Sequence, residues 1–387
     1  MFIKNQFEIW IQAPCIVTQI VDLIRNNESY VVLNYLCVQL MVQMSPFIPA
    51  PKALTDFPST LTYGKARMDV LRSHICLRVV EKAAFPLFYA SLLSVLGLHH
   101  ESILIRFTGL VREITEEFLM SVESSPPLEN RVKNTIKRIV SGINFQVLGP
   151  LWLKDDLMST WYLSPASNTT AFETYVELHE CAFVQTLSFG SSGRWTRSAF
   201  RSTCWHERYS STIYVPALVF NITLPLSEKS RHLCRAAVRV VGCIFDAILA
   251  ETNSTSVESL LSEEGTAKLR NTATCYGLDG LEPPSTSLRD ALTVEFAFRH
   301  FDKSVKKSVN PLRLRLPQGK VLTSSQLFFV YLMLQHCEKK GGLDTLKLGS
   351  AQNLNFVLSR DSNFAAAFNC SRGSPMNPGK KCSSYRV

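Results

Sequence analysis

Phe364-Ala-Ala-Ala-Phe-Asn-Cys370, then Ser374-Pro-Met-Asn-Pro378, then Lys380-Lys-Cys382 close the chain, and their reading decides the fold. Chain ends fray unless something holds them. Two cysteines, an aromatic pair and a Met-Asn turn bounded by prolines describe a tail pinned against a body. Working outward stand Ser325-Gln326-Leu-Phe-Phe-Val-Tyr331, followed by Cys337, and Ala297-Phe298-Arg299 through Lys306-Lys307. Farther back stand Ile213-Tyr-Val-Pro216-Ala217 and the run Leu110-Val-Arg-Glu-Ile-Thr-Glu-Glu-Phe118, whose apolar residues recur at helical spacing. Pro126, Pro127 and a basic helix from Arg131 to Ile139 follow that run.

These blocks together resemble the neprilysin and endothelin-converting-enzyme family of zinc metallopeptidases. The tail matches that family's "SPMNP..KC" ending, the helix at Gln326 its "QLFF" helix, and the helix at Ala297 its "AYRAY" helix. The likeness is strong after about residue 290 and fainter before. It implies a mainly α, two-lobed neprilysin-like metallopeptidase fold with a small β element in the C-terminal lobe. We expect a helical N-terminal lobe over 1–195 and a peptidase-like domain over 205–387, joined near Gly190-Ser-Ser-Gly193. Relative to the family the chain reads as an N-terminally short, degenerate member.

Such enzymes need a His-Glu-x-x-His helix, because two histidines one turn apart point at one zinc ion and the glutamate serves as general base. Zinc lowers the pKa of bound water from about 15.7 to roughly 7, so the ligands create the nucleophile. The chain holds three His-Glu dipeptides, and none has the second histidine. His100-Glu101 is followed by Leu104, His179-Glu180 by Phe183, and His206-Glu207 by Ser210. All three are expected to be surface polar pairs.

By the resemblance, the zinc helix opens at Val240-Val241-Gly242. Cys243 and Ala247 then occupy the two histidine positions and Ile244 the position of the base. The third ligand position, eleven residues before Ala297, holds Thr286, while Asp290 keeps the carboxylate that in the family orients a histidine and, with none to orient, is expected to be a helix-surface or capping carboxylate. Thr203, Cys204 and Trp205 stand nearest in register to the family's cleft motif. Lys347 and Asn353 stand where its transition-state histidine and carboxylate-binding arginine belong. The sequence therefore assigns no catalytic residue, no metal ligand and no cofactor. An unorthodox site that recruits Cys243 would need His232, Cys234 or another element to complete it.

Length and composition fit a folded body: 387 residues with 46% apolar content can bury a substantial core. The net charge of +9 is spread along the chain and accompanies no nucleic-acid-binding motif. Apolar stretches at Val31–Met44 and Phe85–Leu98 are shorter than the roughly 20 residues a membrane span needs, so they are expected to be buried helices. The helix from about His232 to Glu251 presents Leu233, Val240, Val241, Ile244, Phe245 and Ile248 as a broad apolar face. Replacing ligands with Cys243 and Ala247 lets that interior pack without unpaired charge.

Eleven cysteines and sequons at Asn27, Asn168, Asn221 and Asn253 point to an oxidising, secretory setting. Asn369-Cys-Ser is a poorer sequon. Met1-Phe-Ile-Lys-Asn-Gln-Phe-Glu-Ile-Trp lacks a signal peptide's apolar core. The resemblance implies an extracellular or membrane-associated ectodomain and a disulfide between Cys275 and Cys382; it leaves Cys76, Cys337 and Cys370 free or re-paired. Two functions compete: a non-catalytic, peptide-binding homologue, and an active zinc metalloendopeptidase with atypical ligands. A third reading is a decayed or truncated gene product. Peptides are the candidate partners, and the sequence carries no sign of oligomeric state.

Overall fold

The computed structural model describes residues 14–26, 28–44, 77, 81, 85–98, 100–125, 128–149, 170, 173–181, 201–220, 229–252, 285–306, 314–315, 319, 321–334, 349–379 and 381. The chain forms two compact units, one of residues 1–79 with 170–172 and one of the remainder. The join expected at Gly190-Ser-Ser-Gly193, between lobes at 1–195 and 205–387, lies outside the described residues.

The smaller unit contributes α1 (Pro14–Asn26) and α2 (Ser29–Met44). The expectation of a buried helix fails at α2, where Tyr30, Val31, Leu33, Tyr35, Leu36 and Val38 are exposed. Its apolar residues encircle the helix instead of forming one stripe. A helix of that kind is covered only by neighbours on every side, and the described residues of this unit do not supply them.

The larger unit is built around α6 (Lys229–Glu251), which packs against α7 (Ser285–Lys306) and also against α4 (Glu101–Glu123), α5 (Asn130–Ser141) and α8 (Ser324–Leu334). Burial follows the helical period. Ile103, Phe107, Leu110, Val111, Ile114, Phe118 and Val122 line one side of α4, and Val132, Ile136 and Val140 one side of α5. Leu233, Val240, Val241, Ile244, Phe245 and Ile248 of α6 are all buried, as their spacing foretold. Phe118 meets Phe245 edge-on at 5.4 Å and Phe296 at 5.2 Å, so α4, α6 and α7 share one aromatic contact. Lys303 of α7 also reaches Glu117 of α4 at 2.6 Å across 186 positions of sequence. The helix α3 (Phe85–Val95) buries Tyr89 and Leu93 on one side and leaves Val95 exposed.

A three-stranded sheet, in the order β1-β3-β2, lies beside α6. β3 (Thr212–Val215) pairs in parallel with β1 (Asn144–Val147) and antiparallel with β2 (Trp205–Glu207). The central strand β3 is buried at all four positions, which suits the unbroken Thr-Ile-Tyr-Val run. β1 comes from before residue 195, so the sheet is not confined to the C-terminal segment. A hairpin of β4 (Leu314–Arg315) and β5 (Val321–Leu322) precedes α8.

The tail is pinned, as its wording suggests. α9 (Gly349–Arg360) and α10 (Ser362–Phe368) are separated by Asp361, whose carboxylate caps α10 by accepting from the backbone N–H groups of Asn363 and Phe364. Thr323 and Gln326 form a reciprocal capping box at the start of α8, and the Gln326 amide donates to the carbonyl of Ala367 in α10. Phe329 of α8 stands edge-on to Phe364 at 5.2 Å. Beyond α10, Asn377 donates to the carbonyl of Cys370, and Lys381 donates to the carbonyls of Ser359 and Asp361. Cys370 is a free, partly buried thiol.

Candidate functional site

Chemistry would be looked for on the side of α6 that faces the sheet, since Cys243, Ala247 and Glu251 follow one another there at one-turn intervals. β2 lies along this side. Cys204 and His206, two residues apart and therefore on one face of the strand, meet Cys243 and Glu251 respectively. Cys204 and Cys243 are joined in a disulfide with 6.3 Å between their α-carbons. His206 Nε2 lies 3.7 Å from Glu251 Oε1, which also accepts a hydrogen bond from Ser211.

The disulfide changes how Cys243 is read. A thiolate is the metal-binding form of cysteine, and a sulfur bonded to Cys204 has none to offer. Ile244 and Ala247 are fully buried apolar groups. Thr286 is the second residue of α7, and its side chain lies outside the described residues. The donor set that a neprilysin-type zinc requires is therefore not present at these positions, and among the described residues no group of three or more His, Cys, Asp or Glu is placed to hold a metal ion.

α6 and α7 are tied instead by charge. Arg289 donates to Asp246 at 3.0 Å and lies 3.4 Å from the carbonyl of Gly242. Burial raises the Asp246 carboxyl above its ordinary range, and Arg289 opposes the rise. Asp290 sits partly buried on the next position of α7. Burial lifts its pKa to about 6, with Arg289 lowering it and Asp246 raising it further. It has no histidine at 243 or 247 to orient.

The three His-Glu pairs separate on inspection. His100 is exposed before α4, and His179, in a helical stretch at 173–181, stands edge-on to Tyr175 at 4.3 Å. His206 is not a surface residue: its side chain is only 5% exposed. Burial lowers its pKa below the ordinary value, Glu251 opposing, which favours a neutral imidazole. Its neighbour Glu207 accepts hydrogen bonds from Tyr214 at 2.8 Å and Ser210 at 3.2 Å. Burial and this carboxylate both push the Tyr214 hydroxyl up. Trp205 stacks on Tyr214 at 5.1 Å. The surface assignment failed because the strand's alternation turns His206 toward α6, and a dipeptide pattern carries no facing information.

The Asp246–Arg289 pair is what sequence reasoning did not single out, and Cys204 was placed only in register with the cleft motif, not as the partner of Cys243. The signal for Cys204 was present: two positions that depart from the family pattern both became cysteine. Opposite charges at 246 and 289 were a similar clue. Cys275, Cys382, Lys347 and the sequons Asn27, Asn168, Asn221 and Asn253 lie outside the described residues, as does the side chain of Asn353.

No family model matches the chain. Among curated proteins, Neprilysin-1 of Caenorhabditis elegans is 32% identical over 132 residues, an alignment spanning 32% of this chain and 17% of that protein. Among solved structures, the zinc metalloprotease Zmp1 of Mycobacterium tuberculosis in complex with an inhibitor is similar with a TM-score of 0.59 at 12% identity. That similarity covers 90% of this chain and 56% of the Zmp1 chain. A chain of the Haemonchus galactose-containing glycoprotein complex is similar with a TM-score of 0.59 at 13% identity, over 91% of this chain and 61% of its own. The chain thus spans little more than half the length of these structural neighbours and a smaller share of the curated relative.

Proposed function

We propose, from the premise that the chain has a neprilysin-like metallopeptidase fold, that it is a non-catalytic, extracellular peptide-binding protein that works without zinc. The observation that carries this reading is the bond between Cys204 and Cys243. It occupies the first histidine position of the resemblance and fastens the start of β2 to the helix that, by the resemblance, would carry the metal. With Ile244 at the position of the base, no carboxylate stands there to take a proton from water.

Peptide capture is supported by the sheet. β2 is an edge strand, and among the described residues nothing pairs with its outer side. An extended peptide can add to such an edge through main-chain hydrogen bonds that need no catalytic group. The lobes at 1–195 and 205–387 belong to the same proposal, as does the extracellular setting, which the disulfide and the sequons favour.

The test combines metal analysis of the purified chain with a quenched fluorescent peptide library and anisotropy of labelled peptides. Saturable binding without cleavage and without stoichiometric zinc is expected. Zinc at one per chain together with zinc-dependent cleavage would overturn the proposal in favour of an enzyme with atypical ligands.

A further inference from the structure

Asn369-Cys370-Ser371 is an acceptor pattern for N-linked glycosylation, an asparagine with a serine two residues on. The function proposed above makes no use of it. Asn27, Asn168, Asn221 and Asn253 lie outside the described residues, so this is the sequon whose asparagine the fold describes.

The tripeptide sits where α10 stops. Asn369 adopts a left-handed conformation, φ 51° and ψ 44°, which asparagine tolerates better than most residues, and so ends the helix. Its backbone N–H serves that end, donating to the carbonyl of Ala366 at 3.3 Å. Ending the helix needs only this backbone. The side chain of Asn369 is exposed, and among the described residues no hydrogen bond engages its amide. Ser371, Arg372 and Gly373 are exposed too, and the turn they enter is closed on itself, Ser374 donating to Ser371 at 3.0 Å and Gly373 to Asn377 at 2.8 Å. A cysteine between acceptor and serine spoils such a pattern when a disulfide draws it in. Cys370 is a free thiol.

We infer that Asn369 is an N-glycosylation site, taking an oligosaccharide carried on a lipid diphosphate. Asn369 Nδ2 bonds to the anomeric carbon of the first sugar as the bond from that carbon to the diphosphate oxygen breaks. The amide proton passes to a base of the transferase, and the lipid diphosphate leaves. A glycan is bulky and needs open surface, which the end of α10 provides at 369, 371 and 372. The inference rests on the extracellular setting proposed above, because this transfer takes place in the secretory lumen.

The whole chain is expressed behind a cleavable secretory leader in animal cells, as the native sequence, Ser371→Ala and Ser371→Thr. The tail peptide, taken from both medium and lysate, is analysed by mass spectrometry before and after N-glycosidase digestion in heavy-oxygen water. Glycan is expected on Asn369 of the native chain, released with conversion to labelled aspartate. It should be lost completely in Ser371→Ala, which leaves the helix end at Asn369 intact, and retained in Ser371→Thr. A native chain glycosylated at other sequons with Asn369 bare would overturn the site and leave the extracellular setting standing. The setting is read separately, on endogenous protein captured by antibody from its source tissue. An intracellular, unglycosylated endogenous protein, with Asn369 modified behind the leader, refutes the setting and supports the acceptor.

Discussion

Cys204 and Cys243 are bonded to one another, and the bond runs from the start of β2 to α6, where the family resemblance puts its first zinc histidine. The two residues are 39 positions apart. In the chain-entropy account, closing a loop of that size stabilises the folded state by about 4 kcal/mol. Cys204→Ser with Cys243→Ser is accordingly expected to lower the unfolding free energy by about 3–4 kcal/mol in urea titrations, and reduction of the native protein to do the same. A double variant as stable as the native chain would mean that the bond contributes little to stability.

Gly242 sits one residue before Cys243 inside α6. A Cβ built there would lie 3.5 Å from Arg289 Nη2 and 3.8 Å from Thr293 Cγ2, both ordinary contact distances. Glycine in a helix interior costs about 0.8–1 kcal/mol relative to alanine. Gly242→Ala is therefore expected to stabilise the protein by about 0.5–1 kcal/mol in chemical denaturation. A loss of more than about 1 kcal/mol would show that space at this position is still required.

Asp290 gives a pH signature with a definite sign. Its pKa is about 6 in the folded protein and about 3.9 in an unfolded chain. Between these values the folded state binds more protons than the unfolded state, so this group's contribution is present below about pH 4 and is lost as pH rises through 6. Asp290→Asn removes the cost of a buried carboxylate. The variant should melt higher than the native protein at pH 7.5 and match it at pH 4. Equal melting curves at both pH values would place Asp290 in a well-solvated setting.

Much of the scaffold was legible because its signals are local. The apolar period of α4 and α6 predicts which side is buried. Facing relationships were not legible. Nothing in the spacing of Cys204 and Cys243 says that strand and helix lie side by side, and nothing in His206-Glu207 says which of the two points inward. α2 shows the same limit from the other direction: Tyr30, Leu33 and Leu36 are apolar enough for a core, but hydrophobicity alone does not supply a neighbour. Charge pairs such as Lys303 with Glu117 depend on two helices 186 residues apart meeting in one register.

The tail supplies the last prediction. Asp361 is buried, and its carboxylate accepts from the N–H groups of Asn363 and Phe364 at 2.6 and 2.9 Å, while its carbonyl accepts from Lys381. Burial raises this carboxyl's pKa, and the two backbone donors and Lys381 oppose the rise. Asp361→Ala leaves the first turn of α10 without its cap, a loss worth about 1–2 kcal/mol. Because α10 carries Phe364 and Phe368 and leads straight into the turn at Asn377, the damage should be local. Limited proteolysis is expected to cut after about residue 370 several times faster in Asp361→Ala than in the native chain, with little change at α4 or α5. Uniformly faster cleavage across all helices would mean instead that the cap supports the whole unit.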